Sequence, residues 1–175
     1  MRGKRKTHGS NYREWKGMFY NKKFAPGTPN PKVARFTTGK FSGSYDYKLQ
    51  LISLGRVQIR SNALESARVA ASKKLAAIGE EAFYLRVVTY PFVVMRENKM
   101  IATAGADRLQ EGMRKAFGKP IGVASRVGIG SVVLDIMVKA ENLDKAKVAM
   151  KAATTKLPMR CKIAIIPLEK KIEAV

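Results

Sequence analysis

One cysteine and one histidine are all that 175 residues offer of the thiol and imidazole chemistry on which many enzymes and metal centres depend. A single thiol excludes an internal disulfide, and Cys161 alone cannot build a zinc centre, which needs clustered thiolates. Cys161 has basic neighbours in Arg160 and Lys162, but it heads an apolar run, and a buried, inert thiol is the expected outcome. His8 falls in a basic stretch, where a solvated or phosphate-facing imidazole is expected rather than a general base. Acidic residues are also scarce: 13 Asp plus Glu stand against 34 Lys plus Arg. Asp46, Asp107, Asp135 and Asp144 fall in separate predicted elements, without the paired spacing of a metal-dependent nuclease. No apolar run approaches the roughly 20 residues of a membrane span, and Met1–Lys6 lacks the apolar middle of a secretory signal. The expectation is a cytoplasmic protein that is not an enzyme, with no catalytic residue, no metal and no cofactor.

What is abundant is positive charge on a chain able to fold. Hydrophobic residues make up 46%, enough apolar surface to offset chain entropy. The formal charge of +21 makes a folded chain repel itself, and a polyanion relieves that repulsion. Nucleic acid is the leading partner, because neutralised phosphates release condensed counterions. An anionic membrane would call for an amphipathic basic helix or a lipidation signal, and the N-terminal stretch has neither.

The charge is uneven. Residues 1–41 carry eleven Lys or Arg against Glu14 alone, together with seven of the 14 aromatic residues. Pro26, Pro29 and Pro31 impose an extended or turning path there. A purely electrostatic tail has no use for interleaved rings, whereas unpaired bases stack on them. The expected organisation is a basic, aromatic-rich RNA-binding extension over 1–41, one α+β domain over 42–168 with a projecting loop at 96–107, and a tail at 169–175.

From Tyr45 the pattern is globular. Tyr45–Ile52 alternates as a half-buried strand with Tyr45, Tyr47, Leu49 and Leu51 on one face. Val57–Arg60 is a shorter strand. Asn62 is placed to cap a helix, with Glu65 at the capping-box position, and that helix buries Leu64, Ala67, Ala71, Leu75 and Ile78 before Gly79. Strands are predicted over Ala82–Tyr90, Val93–Met95, Ile121–Val127, Ser131–Val138 and Cys161–Ile166, with Gly128-Ile129-Gly130 as a turn. A second helix from Asn142 buries Leu143, Ala146, Met150, Ala153 and Leu157, and Pro158 ends it. This order fits an α+β fold: a mixed or antiparallel sheet with two main helices.

The segment between Met95 and Ile121 stands apart. Its first half is small and flanked by Arg96 and Lys99; Asp107 is placed to cap a short helix to Phe117, ended by Gly118 and Pro120. Arg108, Arg114, Lys115 and Lys119 crowd that helix. An enzyme could close such a loop over substrate, whereas a nucleic-acid binder would insert it and grip phosphates with its arginines. Gly112–Lys119 only imitates a phosphate-binding loop: five residues separate the glycines instead of four, and Pro120 stands where Ser or Thr should hold magnesium.

Several runs resemble a known family. They are Pro29-Asn30-Pro31-Lys32-Val33, Tyr47-Lys48-Leu49-Gln50-Leu51-Ile52-Ser53, Gln58-Ile59-Arg60-Ser61-Asn62-Ala63-Leu64-Glu65-Ser66-Ala67-Arg68 and Leu85-Arg86-Val87. Most specific are Arg96-Glu97-Asn98-Lys99-Met100 and the continuous run from Ala104-Gly105-Ala106-Asp107-Arg108 to Ala116-Phe117-Gly118-Lys119-Pro120. Over residues 24–166 the chain resembles the universal large-subunit ribosomal protein called L-ten-e in archaea and eukaryotes and L-sixteen in bacteria. Met1–Lys23 does not match the short Arg-Pro-Ala-Arg-Cys-Tyr opening usual in that family. The resemblance implies a hammerhead-type α+β fold and a seat on large-subunit ribosomal RNA between the peptidyl transferase centre and the elongation-factor side. It further implies that the loop at 96–107 points toward the catalytic centre, and a role in aminoacyl-site tRNA accommodation and late subunit maturation. Implied partners are that RNA, aminoacyl-site tRNA and neighbouring ribosomal proteins, with no membrane and no second copy of the chain. Arg96, Asn98, Lys99, Arg108, Arg114 and Lys119 are carried over as RNA-facing residues. Charge and position add Arg2, Lys4, Arg5, Lys6, Arg13, Trp15, Lys22, Lys23, Lys32, Arg35, Arg56, Arg60, Lys115 and Arg126. Two rivals stay open: a free-standing RNA chaperone or nucleoid protein, and an RNA-modifying enzyme for which the chain offers no nucleophile–base pair.

Overall fold

In the computed structural model, which describes residues 20–42, 44–99, 114 and 116–168, the strands divide between two antiparallel sheets. The larger has the order β1 (Thr37–Gly39), β4 (Phe83–Val87), β7 (Val132–Val138), β2 (Tyr47–Ser53), β8 (Cys161–Pro167). The smaller has the order β3 (Val57–Arg60), β6 (Lys119–Val127), β5 (Val93–Glu97). Helices α1 (Ser61–Leu75) and α2 (Leu143–Thr154) complete the α+β fold.

Register explains the core. Leu85 and Leu49 both face Ile136, while Val87 and Leu51 both face Leu134, so one face of the larger sheet is continuously apolar. Against it come Leu64 and Leu75 of α1 and Met150 of α2, all but fully buried. Ala67 and Ala71 of α1 and Ala146, Ala149 and Ala153 of α2 have no exposed surface, and these small side chains let two helices share one sheet face. The opposite face carries a buried acid. Asp135 pairs with Lys48 at 3.3 Å and Arg86 at 3.1 Å and accepts from Gln50 Nε2 at 3.2 Å. An isolated buried carboxylate would be costly; here two cations and an amide satisfy it.

Two expectations need correction. The first concerns the end of the predicted strand Ala82–Tyr90, because the chain changes sheets between strands: the turn at Gly128–Gly130 carries it from β6 in the smaller sheet to β7 in the larger, and Gly130 N and Ser131 O are pinned by the buried Ser53. The passages from β2 to β3 and from β4 to β5 change sheets in the same way, which is why the predicted strand Ala82–Tyr90 ends at Val87. The second correction concerns α1. Its N-cap is Arg60, and Asn62 lies inside the first turn, its carbonyl accepting from Ser66 Oγ. Glu65 is engaged elsewhere: it accepts from Arg68 Nη2 at 2.6 Å and Nε at 3.0 Å and from the Ala34 amide at 3.3 Å. A bidentate arginine pair is stronger than a neutral cap bond, and it ties residues 33–35 to the helix.

The hydrogen bonds from Arg68, outweighing the desolvation of the carboxyl, hold Glu65 below the usual carboxylate range. A depressed folded-state value means stability that is present above the unfolded pKa and lost as pH falls through the folded one. Glu65→Gln is therefore expected to lower the melting temperature at neutral pH. The gap to the wild type should close as pH is taken down through the carboxylate range, read by circular dichroism. A gap independent of pH would mean that packing, not the ion pair, is what Glu65 contributes.

Candidate nucleic-acid interface

The loop that the sequence singles out leaves β5 and re-enters at β6, so its base is the open end of a hairpin. Glu97 faces Lys119 and Arg96 faces Pro120 there. Arg96 holds this base together. Its guanidinium lies 3.7 Å from the centre of the Phe117 ring and 4.3 Å from that of Tyr20, and its Nη1 donates to the Phe117 carbonyl at 2.7 Å. The two rings meet edge-to-face at 5.4 Å. Tyr20 is itself anchored, its carbonyl accepting from the Val94 amide at 3.0 Å. Stacked cation–π contacts of this kind contribute about 0.5–2 kcal/mol depending on exposure. The clamp joins three remote segments: the chain at Tyr20, strand β5, and the return at Phe117. Gly118 follows with φ +75°, and a Cβ there would lie 2.7 Å from the Glu97 carbonyl carbon. Only glycine admits both the conformation and the close approach.

The other described candidates distribute around the smaller sheet. Arg60 and Arg126 stand on β3 and β6, where Arg126 Nε donates to Gln58 Oε1 at 3.3 Å. Burial presses the Arg126 guanidinium below its usual range; arginine nonetheless keeps its charge. Arg56 is exposed in the turn before β3. Arg60 also lines an open pocket of about 340 Å³ with Lys156 and Gln58. Lys22 and Lys23 sit exposed on a single 3-10 turn (Lys22–Phe24), and Lys32 and Arg35 are exposed on the stretch leading to β1. Asn98, Lys99, Arg114 and Lys119 are exposed about the loop base. Arg2, Lys4, Arg5, Lys6, Arg13, Trp15, Arg108 and Lys115 lie outside the described residues, as does most of the predicted helix from Asp107 to Phe117.

Arg60, Arg96, Lys119 and Arg126 belong to the smaller sheet, while the apolar core is built mainly on the larger. Sequence reasoning did not single out Tyr20 and Phe117 as partners of Arg96, nor Lys156, nor the rings of Tyr90 and Phe92. Tyr90-Pro91-Phe92 did carry a signal: two aromatics flanking a proline where a strand breaks, 57% and 44% exposed. Cys161 is half-buried against the core and its thiol is pushed up by desolvation, which disfavours the reactive thiolate. Among the described residues no three His, Cys, Asp or Glu side chains gather as metal ligands would, and no helix is long and apolar enough to cross a membrane.

Comparison with known proteins shows the family. The sequence profile of the family described as ribosomal protein L16p/L10e matches residues 15–164, so the similarity begins ahead of the motifs that first suggested it. The protein named large ribosomal subunit protein uL16 of Sulfolobus acidocaldarius is 51% identical over 172 residues, covering 95% of this chain and 97% of that one. Its namesake from Staphylothermus marinus is 46% identical over 160 residues (90% and 92%), and that from Hyperthermus butylicus 49% identical over 157 residues (89% and 87%). The chain belongs to the ribosomal protein L16p/L10e family.

Proposed function

We propose that this protein binds large-subunit ribosomal RNA near the aminoacyl-tRNA site and the peptidyl transferase centre, and supports tRNA accommodation. The coarser part follows from family membership: it is a structural protein of the large ribosomal subunit, resident in the ribosome beside ribosomal RNA and other ribosomal proteins, and not an enzyme. The finer part rests on the gathering of cations along the smaller sheet and at the hairpin end that Arg96 closes. In this reading residues 1–41 are an RNA-binding extension, residues 42–168 the domain that carries it, and residues 96–107 a loop reaching toward aminoacyl-site tRNA, with 169–175 as a tail. The extension is seated on the domain from Tyr20 onward, since Val33 enters the core and β1 pairs with β4. Arg96 positions the loop; Lys99, exposed beyond the clamp, is the residue in reach of phosphate.

Sucrose-gradient sedimentation after a high-salt wash is expected to find the protein in large subunits; recovery only from the free pool would overturn the reading. Lys99→Ala subunits should assemble normally and bind aminoacyl-site tRNA about tenfold more weakly, the scale of one charge-assisted hydrogen bond. Unchanged tRNA binding would make the loop a spacer.

A further inference from the structure

We propose that the cleft between residues 21–31 and Tyr90–Phe92 is a receptor for one unstacked nucleotide of ribosomal RNA. The inference rests on the RNA-binding reading above and adds a specific contact to it. The cleft encloses about 450 Å³, within the size range of small-ligand pockets. One wall is aromatic. The Tyr90 ring is braced against Phe36, stacked at 5.3 Å and 24°, yet remains 57% exposed, and Phe92 beside it is 44% exposed. Two large rings, each about half exposed and lining one cleft, mark a surface that is used. The other wall is cationic: Lys22 and Lys23 line the same cleft.

An aromatic surface beside fixed positive charge matches the two faces of a nucleotide, a flat base and an anionic phosphate. Asn30 adds a reading group. Its Oδ1 accepts from Lys22 Nζ at 3.1 Å, which assigns the amide NH2 to the donor role toward a base edge. The cleft is also built in advance. Pro29, Pro31 and Pro91 line it, and their φ angles are fixed by covalent structure. Beneath the cationic wall, Ala25 and Thr28 are buried and joined by a bond from Thr28 Oγ1 to the Ala25 carbonyl. Little backbone entropy is left to lose on binding. A base inside a duplex cannot present its face to such a wall, so the occupant is an unpaired nucleotide.

The test uses the full-length protein with two probes, a short single-stranded RNA carrying one 2-aminopurine and an RNA duplex of the same sequence. Wild-type protein is expected to change the 2-aminopurine emission on binding. Phe92→Leu and Tyr90→Leu, which keep apolar bulk, should each weaken single-strand binding about tenfold, in the range of losing one stacked base, while duplex binding stays within about twofold. Equal affinity of both variants for both probes, or equal loss on both, overturns the pocket while leaving the basic-surface reading intact. Failure of wild-type protein to bind either probe overturns the parent reading as well. If neither variant folds, photocrosslinking of wild-type protein to a 4-thiouridine single strand decides: attachment within the tryptic peptides containing residues 21–31 or 90–92 supports the pocket. Attachment only elsewhere removes it.

Discussion

Raising monovalent salt from 50 to 200 mM is expected to weaken binding of the protein to large-subunit ribosomal RNA by about three to five decades, the loss that follows if six to ten phosphates are engaged. The expectation comes from where the charge sits. Even with all 13 acids paired to cations, a net charge of +21 is left over, and two of those acids, Asp135 and Glu65, are committed to ion pairs within the fold. Among the described cations, Lys22, Lys23, Lys32, Arg35, Arg56, Lys99, Arg114 and Lys119 are exposed to solvent. The slope also separates residues by role. Replacing Lys22 or Lys119 with Gln should flatten the plot of log affinity against log salt by about one unit, the signature of one lost phosphate contact. Lys147→Gln should leave it unchanged, because Lys147 already pairs with Asp144 at 3.0 Å on the exposed side of α2. A salt-independent affinity would contradict the electrostatic basis of the whole reading.

Gly118→Ala should lower the melting temperature by about 10 °C, which at this chain length corresponds to roughly 3 kcal/mol. Two costs add. At φ +75° an L-residue is disfavoured by about 1–2 kcal/mol, and a Cβ set 2.7 Å from the Glu97 carbonyl carbon and 2.8 Å from the Asn98 amide nitrogen forces backbone apart, an overpacking cost of about 1–3 kcal/mol. Gly130 supplies the control. Its φ of +83° is as demanding, but nothing lies within 4 Å of a Cβ there, so Gly130→Ala should cost only the conformational part, about 1–2 kcal/mol. If the two variants melt together, the loop base yields without strain and Gly118 is no more than a turn residue. If they separate as expected, aminoacyl-site tRNA binding should fall with Gly118→Ala and not with Gly130→Ala, since only the former disturbs the end of the hairpin.

Much of the fold was legible because helical and strand periods are local. Leu64, Ala67, Ala71 and Leu75 form a stripe at helical spacing, and all four are buried; Leu49 and Leu51 alternate with polar residues and face the core as that pattern requires. Partnership was not legible. Nothing near Val127 or Val132 shows that the two strands part onto different sheets, because pairing of β7 with β2 and of β6 with β3 is settled by residues far away in sequence. The misread cap has the same origin: Glu65 fits a capping box locally, but Arg68 and the Ala34 amide compete for it in three dimensions. For the site, charge marked Arg96 as a candidate, yet its role as a clamp depends on Tyr20 and Phe117, which no spacing rule connects to it. Exposed rings at Tyr90 and Phe92 were visible as residues; that they form a wall opposite Lys22 and Lys23 belongs to the tertiary structure alone.

The strand order has a consequence for biogenesis. The larger sheet has β7 at its centre, holding β4 on one side and β2 on the other, and β8 closes along β2 from Tyr47 against Pro167 to Ser53 against Cys161. Synthesis runs from the N-terminus, so β2 emerges before either of its neighbours and β4 finds only β1 until residues 132–138 follow, and the outer edge of β2 stays unsealed until β8 has been made. A newborn copy therefore carries the stretch from Tyr20 to β1 before the strands that seat it have been made, and that platform is assembled after it, from behind.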